Sequence, residues 1–203
     1  MNSPEILTNL LDNLIEKSTG NIESYVDKLR SQNPGISNDA LAKKIIKRKS
    51  LKNGFLGAAT GVGGLLTLPV TVPADVYNSW RIQISMALAV AYVFGHNIKT
   101  TDIKTDIYLI LAGNSAKDAL KRIGIEFSKG FTKKAIEKNI TREVMKKIWK
   151  IIPQKIITKA GEKSLISFTR MVPLVGGPIG FTFDWGAARI VGKTAIKYYS
   201  GEK

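Results

Sequence analysis

Two aspartate–arginine pairs stand at the edges of long uncharged runs, and they are the residues of this chain best placed to do chemistry. Asp75 and Arg81 follow Gly54 to Ala74 (GFLGAATGVGGLLTLPVTVPA), and Asp184 and Arg189 follow Met171 to Phe183 (MVPLVGGPIGFTF). An ionised carboxylate beside apolar sequence is costly unless it is paired, so each acid calls for a partner and the nearby arginine is the natural one. Two outcomes are open. The pairs can be buried ion pairs or caps that fix two helical hairpins, or the acids can converge on one polar site for a cation, a headgroup or a proton. Two carboxylates do not by themselves make a metal site, and no residue set here asks for a metal or a cofactor.

Other fragments with a chemical look fail on spacing. Gly192-Lys193-Thr194 ends like a phosphate-binding loop, but Ala187 stands where the first glycine is required. Gly61-Val62-Gly63-Gly64 lacks the third glycine of a dinucleotide fingerprint, since position 66 is Leu66, and no strand precedes it. His96, the only histidine, lies in Gly95-His96-Asn97 at a helix end, a capping or surface position. Without cysteine there is no disulfide framework and no thiolate site. The balance is against an enzyme.

Charge is distributed unevenly. The net charge is +15, yet residues 1 to 40 carry six acids and three bases. Leu41 to Asn53 (LAKKIIKRKSLKN) then has six bases and no acid, directly before the first apolar block, and Phe127 to Lys163 adds eleven bases against three acids. Such runs attract polyanions, and their adjacency to apolar sequence favours lipid headgroups over nucleic-acid phosphate. Aromatic residues are not interleaved with the lysines as a nucleic-acid surface would have them.

The elements that must position these groups are helical throughout. Ser3 and Pro4 open a helix with Ile6, Leu7, Leu10, Leu11, Leu14 and Ile15 on one face and Gly20 as its stop. A second stripe, Ile22, Tyr25, Val26 and Leu29, ends at the Asn33-Pro34-Gly35 turn. Ser37 or Asn38 caps a basic helix with Leu41, Ile45 and Ile46 inward. In the first apolar block Gly54, Gly57, Gly61 and Gly64 form one side-chain-free face, a GxxxG step that lets a second helix approach to backbone contact. Pro69 and Pro73 forbid one straight span and predict a broken or re-entrant hairpin. Ile82 to Gly95, about fourteen residues, is short of the roughly twenty that a bilayer needs and reads as a buried helix or a half-span. Thr101 caps a helix with Ile103, Ile107, Tyr108, Ile110 and Leu111 inward, up to Gly113-Asn114. Phe131 to Ile152 reads as one amphipathic helix, either a bundle helix or an interfacial one with Trp149 at headgroup level.

The two halves echo each other: Leu68-Pro69 with Pro73, Asp75 and Arg81 parallels Val172-Pro173 with Pro178, Asp184 and Arg189, as two hairpins packed with approximate symmetry would. At these residues the chain resembles the EcsC protein family of bacteria. The resemblance rests on Asn53-Gly54-Phe55-Leu56-Gly57-Ala58-Ala59-Thr60-Gly61, Leu68-Pro69 with Pro73-Ala74-Asp75, Ala91-Tyr92-Val93-Phe94-Gly95, Leu111-Ala112-Gly113-Asn114, and Val172-Pro173-Leu174-Val175-Gly176-Gly177 with Asp184 and Arg189. It covers roughly Leu41 to Tyr199. What it implies is an α-helical, membrane-associated protein without an established catalytic activity.

The sequence thus predicts an all-α compact bundle with Gly/Pro-rich broken hairpins, residues 1–36 forming a mildly acidic N-terminal hairpin and 37–203 an EcsC-like helical domain. Its first residues (MNSPEILTNLLDN) do not read as a signal peptide, so the expected location is cytoplasmic, at or in the inner membrane. The expected partner is anionic membrane lipid, contacted by Lys43, Lys44, Lys47, Arg48, Lys49, Lys133, Lys134, Lys138, Lys146, Lys147, Trp149 and Lys150. Packing or insertion falls to Gly54, Gly57, Gly61, Gly64, Pro69, Pro73, Pro173, Gly176, Gly177 and Gly180. A helical or membrane-protein partner, self-association and a membrane-disrupting role remain open. The alternatives are a nucleic-acid-binding protein and an enzyme built on the Asp/Arg residues.

Overall fold

Apolar residues at three- and four-residue spacing favour helix along most of the chain, and among the described residues no strand forms. The computed structural model describes residues 3–63, 74–122, 131–139, 141, 143–153, 156 and 173–201, and side chains at 8–58, 76–122, 131–138, 141, 143–153, 156 and 181–201. The helices are α1 (Ser3–Thr19), α2 (Ile22–Ser31), α3 (Asn38–Gly63), α4 (Ala74–Val93), α5 (Asp102–Ala112), α6 (Asn114–Arg122) and α7 (Lys133–Asn139). They are followed by α8 at 143–153 and α9 (Pro173–Ser200).

Local chemistry sets most boundaries. Ser37 is the cap of α3: its Oγ accepts the Ala40 N–H at 3.2 Å and its carbonyl the Leu41 N–H at 2.9 Å. Gly95, at φ 83°, closes α4, and Gly113, at φ 59°, separates α5 from α6; both need a residue without a Cβ. Thr101 departs from expectation. It sits in the helical region and makes no side-chain cap bond, leaving Asp102 in the first turn to complement the helix N-terminus.

The core forms around α4 and α5. Ile84, Met86, Leu88 and Val90 of α4 and Ile107, Leu109 and Ile110 of α5 are buried, so the uncharged run from Ile82 is core helix as far as Val93 and ends in the turn at Phe94 and Gly95. No helix among the described residues is long and apolar enough to cross a membrane. Leu11, Leu14, Ile22 and Val26 of α1 and α2 join the same core. Lys99 pairs with Glu23 at 2.9 Å, Lys104 pairs with Asp12, and Tyr108 Oη donates to Asp12.

The segment read as one amphipathic helix from Phe131 to Ile152 is two helices. Thr141 is non-helical and caps α8, its Oγ1 accepting the Val144 N–H at 3.4 Å and its carbonyl the Met145 N–H at 3.0 Å. A cap requires a chain that is not yet helical, which is why the periodicity is interrupted there. The apolar side still packs inward: Phe131, Ile136, Ile148 and Ile152 are buried.

The longest pairing is antiparallel, between α3 and α9. Gly54 faces Phe181 and Trp185, and Ile46 faces Gly192. This direction carries the C-terminal turns of α3 and the N-terminal turns of α9 to the same end of the molecule, and with them parts of both apolar blocks. The second block is helical from Pro173 onward, with Pro178 inside α9. Proline as first helical residue fits its missing N–H. Gly64, Pro69 and Pro73 lie outside the described residues.

Candidate functional site

Packing α3 on α9 leaves a groove along their outer side, walled by two ridges of i, i+4 residues. On α3 the ridge is Lys43, Lys47, Leu51 and Phe55; on α9 it is Trp185, Arg189, Lys193 and Lys197. All but Phe55 line a cavity of about 760 Å³, together with Ile46, Ile196 and Ser200. Because the helices run in opposite directions, like meets like along the groove. Lys43 and Lys47 lie across from Lys193 and Lys197, whereas Leu51 and Phe55 lie at the level of Phe181 and Trp185. Phe55 and Phe181 meet edge to face with ring centroids 5.4 Å apart.

The cationic end is charge-unbalanced. Lys43 pairs with Asp39 at 2.6 Å. Among the described residues no carboxylate reaches ion-pair distance of Lys47, Arg189, Lys193 or Lys197. The Arg189 guanidinium lies 4.8 Å from the centre of the Trp185 ring. Beside the groove stand the large exposed apolar residues Phe55, at 66%, and Ile190, at 63%. Phe183 and Ile190, seven residues apart, fall on the same line of α9 as Lys197.

The expected Asp/Arg pairs are distributed differently from their spacing in sequence. Asp184 is buried, at 5% exposure, and its carbonyl accepts the Asn53 Nδ2 at 2.8 Å. Arg189, five residues on, is turned well away around the helix, exposed in the groove. Arg81 is exposed and close enough to Lys49 to push its ammonium pKa down, after burial and together with Lys52. The side chain of Asp75 lies outside the described residues.

Asn53 belongs to a small buried polar cluster at the meeting of α3, α4 and α9. Its Nδ2 also reaches Ser79 Oγ at 3.2 Å, and Gln83 Nε2 donates to the same oxygen at 2.9 Å. Asn53 Oδ1 and Ser50 Oγ are buried with no hydrogen-bond partner among the described residues. Of the predicted basic contacts, Lys44 is tied to Asn33 Oδ1, and Lys49 donates to Ser85 Oγ at 2.7 Å while lying 4.8 Å over the Tyr25 ring. Arg48, Lys134, Lys138, Lys146, Lys147 and Lys150 are exposed. Lys133 is not a surface cation: at 16% exposure it pairs with Asp106 at 2.8 Å and with Glu137 at 3.2 Å. Trp149 is turned inward, its indole N–H donating to Thr105 Oγ1 at 2.8 Å.

The sequence pattern conceals the main buried carboxylate, Asp106. Tyr198 donates to it at 2.7 Å and Tyr199 approaches at 3.5 Å. Burial raises the Asp106 pKa despite the pull of the Lys133 ammonium; it also raises both tyrosines, with the Asp106 charge adding to the effect. His96 closes this end, its Nε2 lying 3.0 Å from the Tyr199 carbonyl oxygen. Asp106 sits among apolar residues on a helix that reads as one-faced, yet α5 is buried on every side from Thr105 to Ala112. The groove ridge of α9 is missed by the sequence reading: Trp185, Arg189, Lys193 and Lys197 recur at four-residue steps, but an exposed basic ridge carries no mark of what lies beside it.

Among the described residues no group of three or more acidic or histidine side chains is placed to hold a metal. No curated protein and no solved structure matches the chain significantly. The motif order that suggested a family does find its counterpart: the model of the EcsC protein family matches residues 14–200, from the middle of α1 through the end of α9, and the chain belongs to that family.

Proposed function

We propose that the protein is a peripheral membrane-binding protein whose α3/α9 face docks on bilayers rich in anionic lipid. One observation carries the reading: on that face, cations without acidic partners among the described residues stand next to exposed large apolar side chains. Lys47, Arg189, Lys193 and Lys197 supply the charge, and Phe55 and Ile190 the apolar contact. An interfacial surface needs both. The charges bring it to the headgroups at about 1 kcal/mol per basic residue, and the apolar side chains hold it at the acyl boundary. Nucleic acid would use the charges but gains nothing from Phe55 and Ile190, so lipid is favoured.

The test is co-sedimentation with vesicles of phosphatidylglycerol and phosphatidylcholine at low salt. Binding that grows with the anionic fraction is the expected result. Protein that stays in the supernatant at every composition, or that binds duplex DNA more tightly than vesicles, sinks the proposal.

A further inference from the structure

We infer that the α3/α9 groove is a site for one anionic amphiphile, its phosphate or carboxylate head among Lys47, Arg189, Lys193 and Lys197 and its hydrocarbon along Leu51 and Trp185. This rests on the lipid-directed reading of the same face and asks more of it. Adsorption on a bilayer needs charge and exposed apolar side chains, not a cavity. Here there is a cavity of about 760 Å³, within the range of roughly 300–1,000 Å³ that small-molecule sites occupy.

Its polarity is graded along its length. The antiparallel register gathers the lysines at one end, with Ile46 and Ile196 beneath them, and leaves Leu51 and Trp185 as the lining toward the other, next to Phe55 and Phe181 just outside it. A simple anion would need only the first end, and an apolar ligand only the second. Arg189 stands at the junction, with its guanidinium over the Trp185 ring. A guanidinium carries five N–H donors, so contact with one ring leaves donors for a phosphate or carboxylate. The ring it lies on offers the hydrocarbon an apolar wall. Ile46 lines the groove from α3, fixed in position by its contact with Gly192.

The experiment titrates the full chain with dihexanoyl phosphatidic acid and dihexanoyl phosphatidylcholine, both below their micelle-forming concentrations, and with inorganic phosphate, following tryptophan fluorescence and heat. Phosphatidic acid should bind saturably and one-to-one, at least tenfold tighter than either comparison ligand. Lys193→Glu should weaken it roughly tenfold or more, since a reversal alters the local charge by two. Leu51→Trp fills the groove without changing its charge and should abolish amphiphile binding; circular dichroism checks that both variants fold. Trp185→Phe should remove the fluorescence response, because Trp80 and Trp149 lie away from the groove. Equal affinity for inorganic phosphate or for phosphatidylcholine, or no saturation, overturns the inference. If vesicles bind and the monomeric amphiphile does not, only this inference fails. If the amphiphile binds and vesicles do not, the membrane reading fails and the groove stands.

Discussion

Gly192 of α9 sits directly on Ile46 of α3: a Cβ at position 192 would come within 2.7 Å of Ile46 Cγ1, 2.8 Å of Cγ2 and 3.0 Å of Cδ1. Gly186 of the same helix has nothing within 4 Å of such a Cβ. The two glycines should therefore respond with opposite signs. Gly186→Ala gains helix propensity and should stabilise by up to about 1 kcal/mol. Gly192→Ala gains the same but forces the helices apart, an overpacking cost of about 1–3 kcal/mol, and should destabilise on balance. Ile46→Ala combined with Gly192→Ala should cost less than the sum of the two single changes, because the clash has gone. Urea unfolding of the four variants checks all three statements.

The close approach at Gly54 could be read from the sequence, because glycines at three- and four-residue spacing have no other common use in a helix. That at Gly192 was obscured by Lys193 and Thr194, which suggest a phosphate loop. Core helices were similarly legible where their apolar residues repeat, as in Ile82 to Val93. Asp106 was not, since a single acid among apolar neighbours looks the same whether it faces water or is covered by α7 and α9. The break at Thr141 was visible in principle: threonine followed by Arg142 and Glu143 is a helix-start signal, but the flanking stripe from Ile136 to Ile148 masks it. Asp184 and Arg189 are close in sequence, but five residues along a helix point two side chains in different directions, one buried and the other exposed.

Caps give a second comparison. Thr132 Oγ1 accepts the Ala135 N–H at 3.3 Å at the start of α7, and Thr132 is itself buried at 7% exposure. Thr132→Ala should cost about 1 kcal/mol. Thr101 makes no cap bond, so Thr101→Ala should stay within about 0.5 kcal/mol of the parent. Denaturation midpoints at constant slope decide between them.

Asp106 should give an unusual pH signature. Its folded pKa lies above its ordinary value of 3.8 because burial disfavours the carboxylate. The native state therefore binds the proton more tightly than the unfolded chain, and by linkage the Asp106 contribution to stability is fully present below 3.8 and is lost as pH rises through the raised value. Relative to Asp106→Asn, which cannot titrate, the parent should gain stability on acidification through that window and show a constant difference above it. Asp106→Ala should be the worse variant, at a cost on the order of 3 kcal/mol at neutral pH, because it strands the buried Tyr198 hydroxyl and leaves the Lys133 ammonium with Glu137 alone. Urea unfolding as a function of pH measures both; a parent that loses stability against the asparagine variant on acidification contradicts the sign.

Charge and apolar contact on the α3/α9 face should be separable by salt. Lys193→Ala with Lys197→Ala removes two exposed cations, and at about 1 kcal/mol each the loss of vesicle affinity should be roughly thirtyfold at low salt. That difference should shrink as salt rises, since screening shortens from about 10 Å at 0.1 M to about 3 Å at 1 M. Phe55→Ser with Ile190→Ser removes two side chains exposed at 66% and 63%, so folding stability should move by no more than about 0.5 kcal/mol at Ile190 and by about 0.5–1.5 kcal/mol at Phe55, whose ring meets Phe181. Their loss should weaken vesicle binding at low and high salt alike, because burial of hydrocarbon in the acyl boundary is not screened. If both pairs show the same salt dependence, Phe55 and Ile190 do not enter the bilayer and the face binds by charge alone.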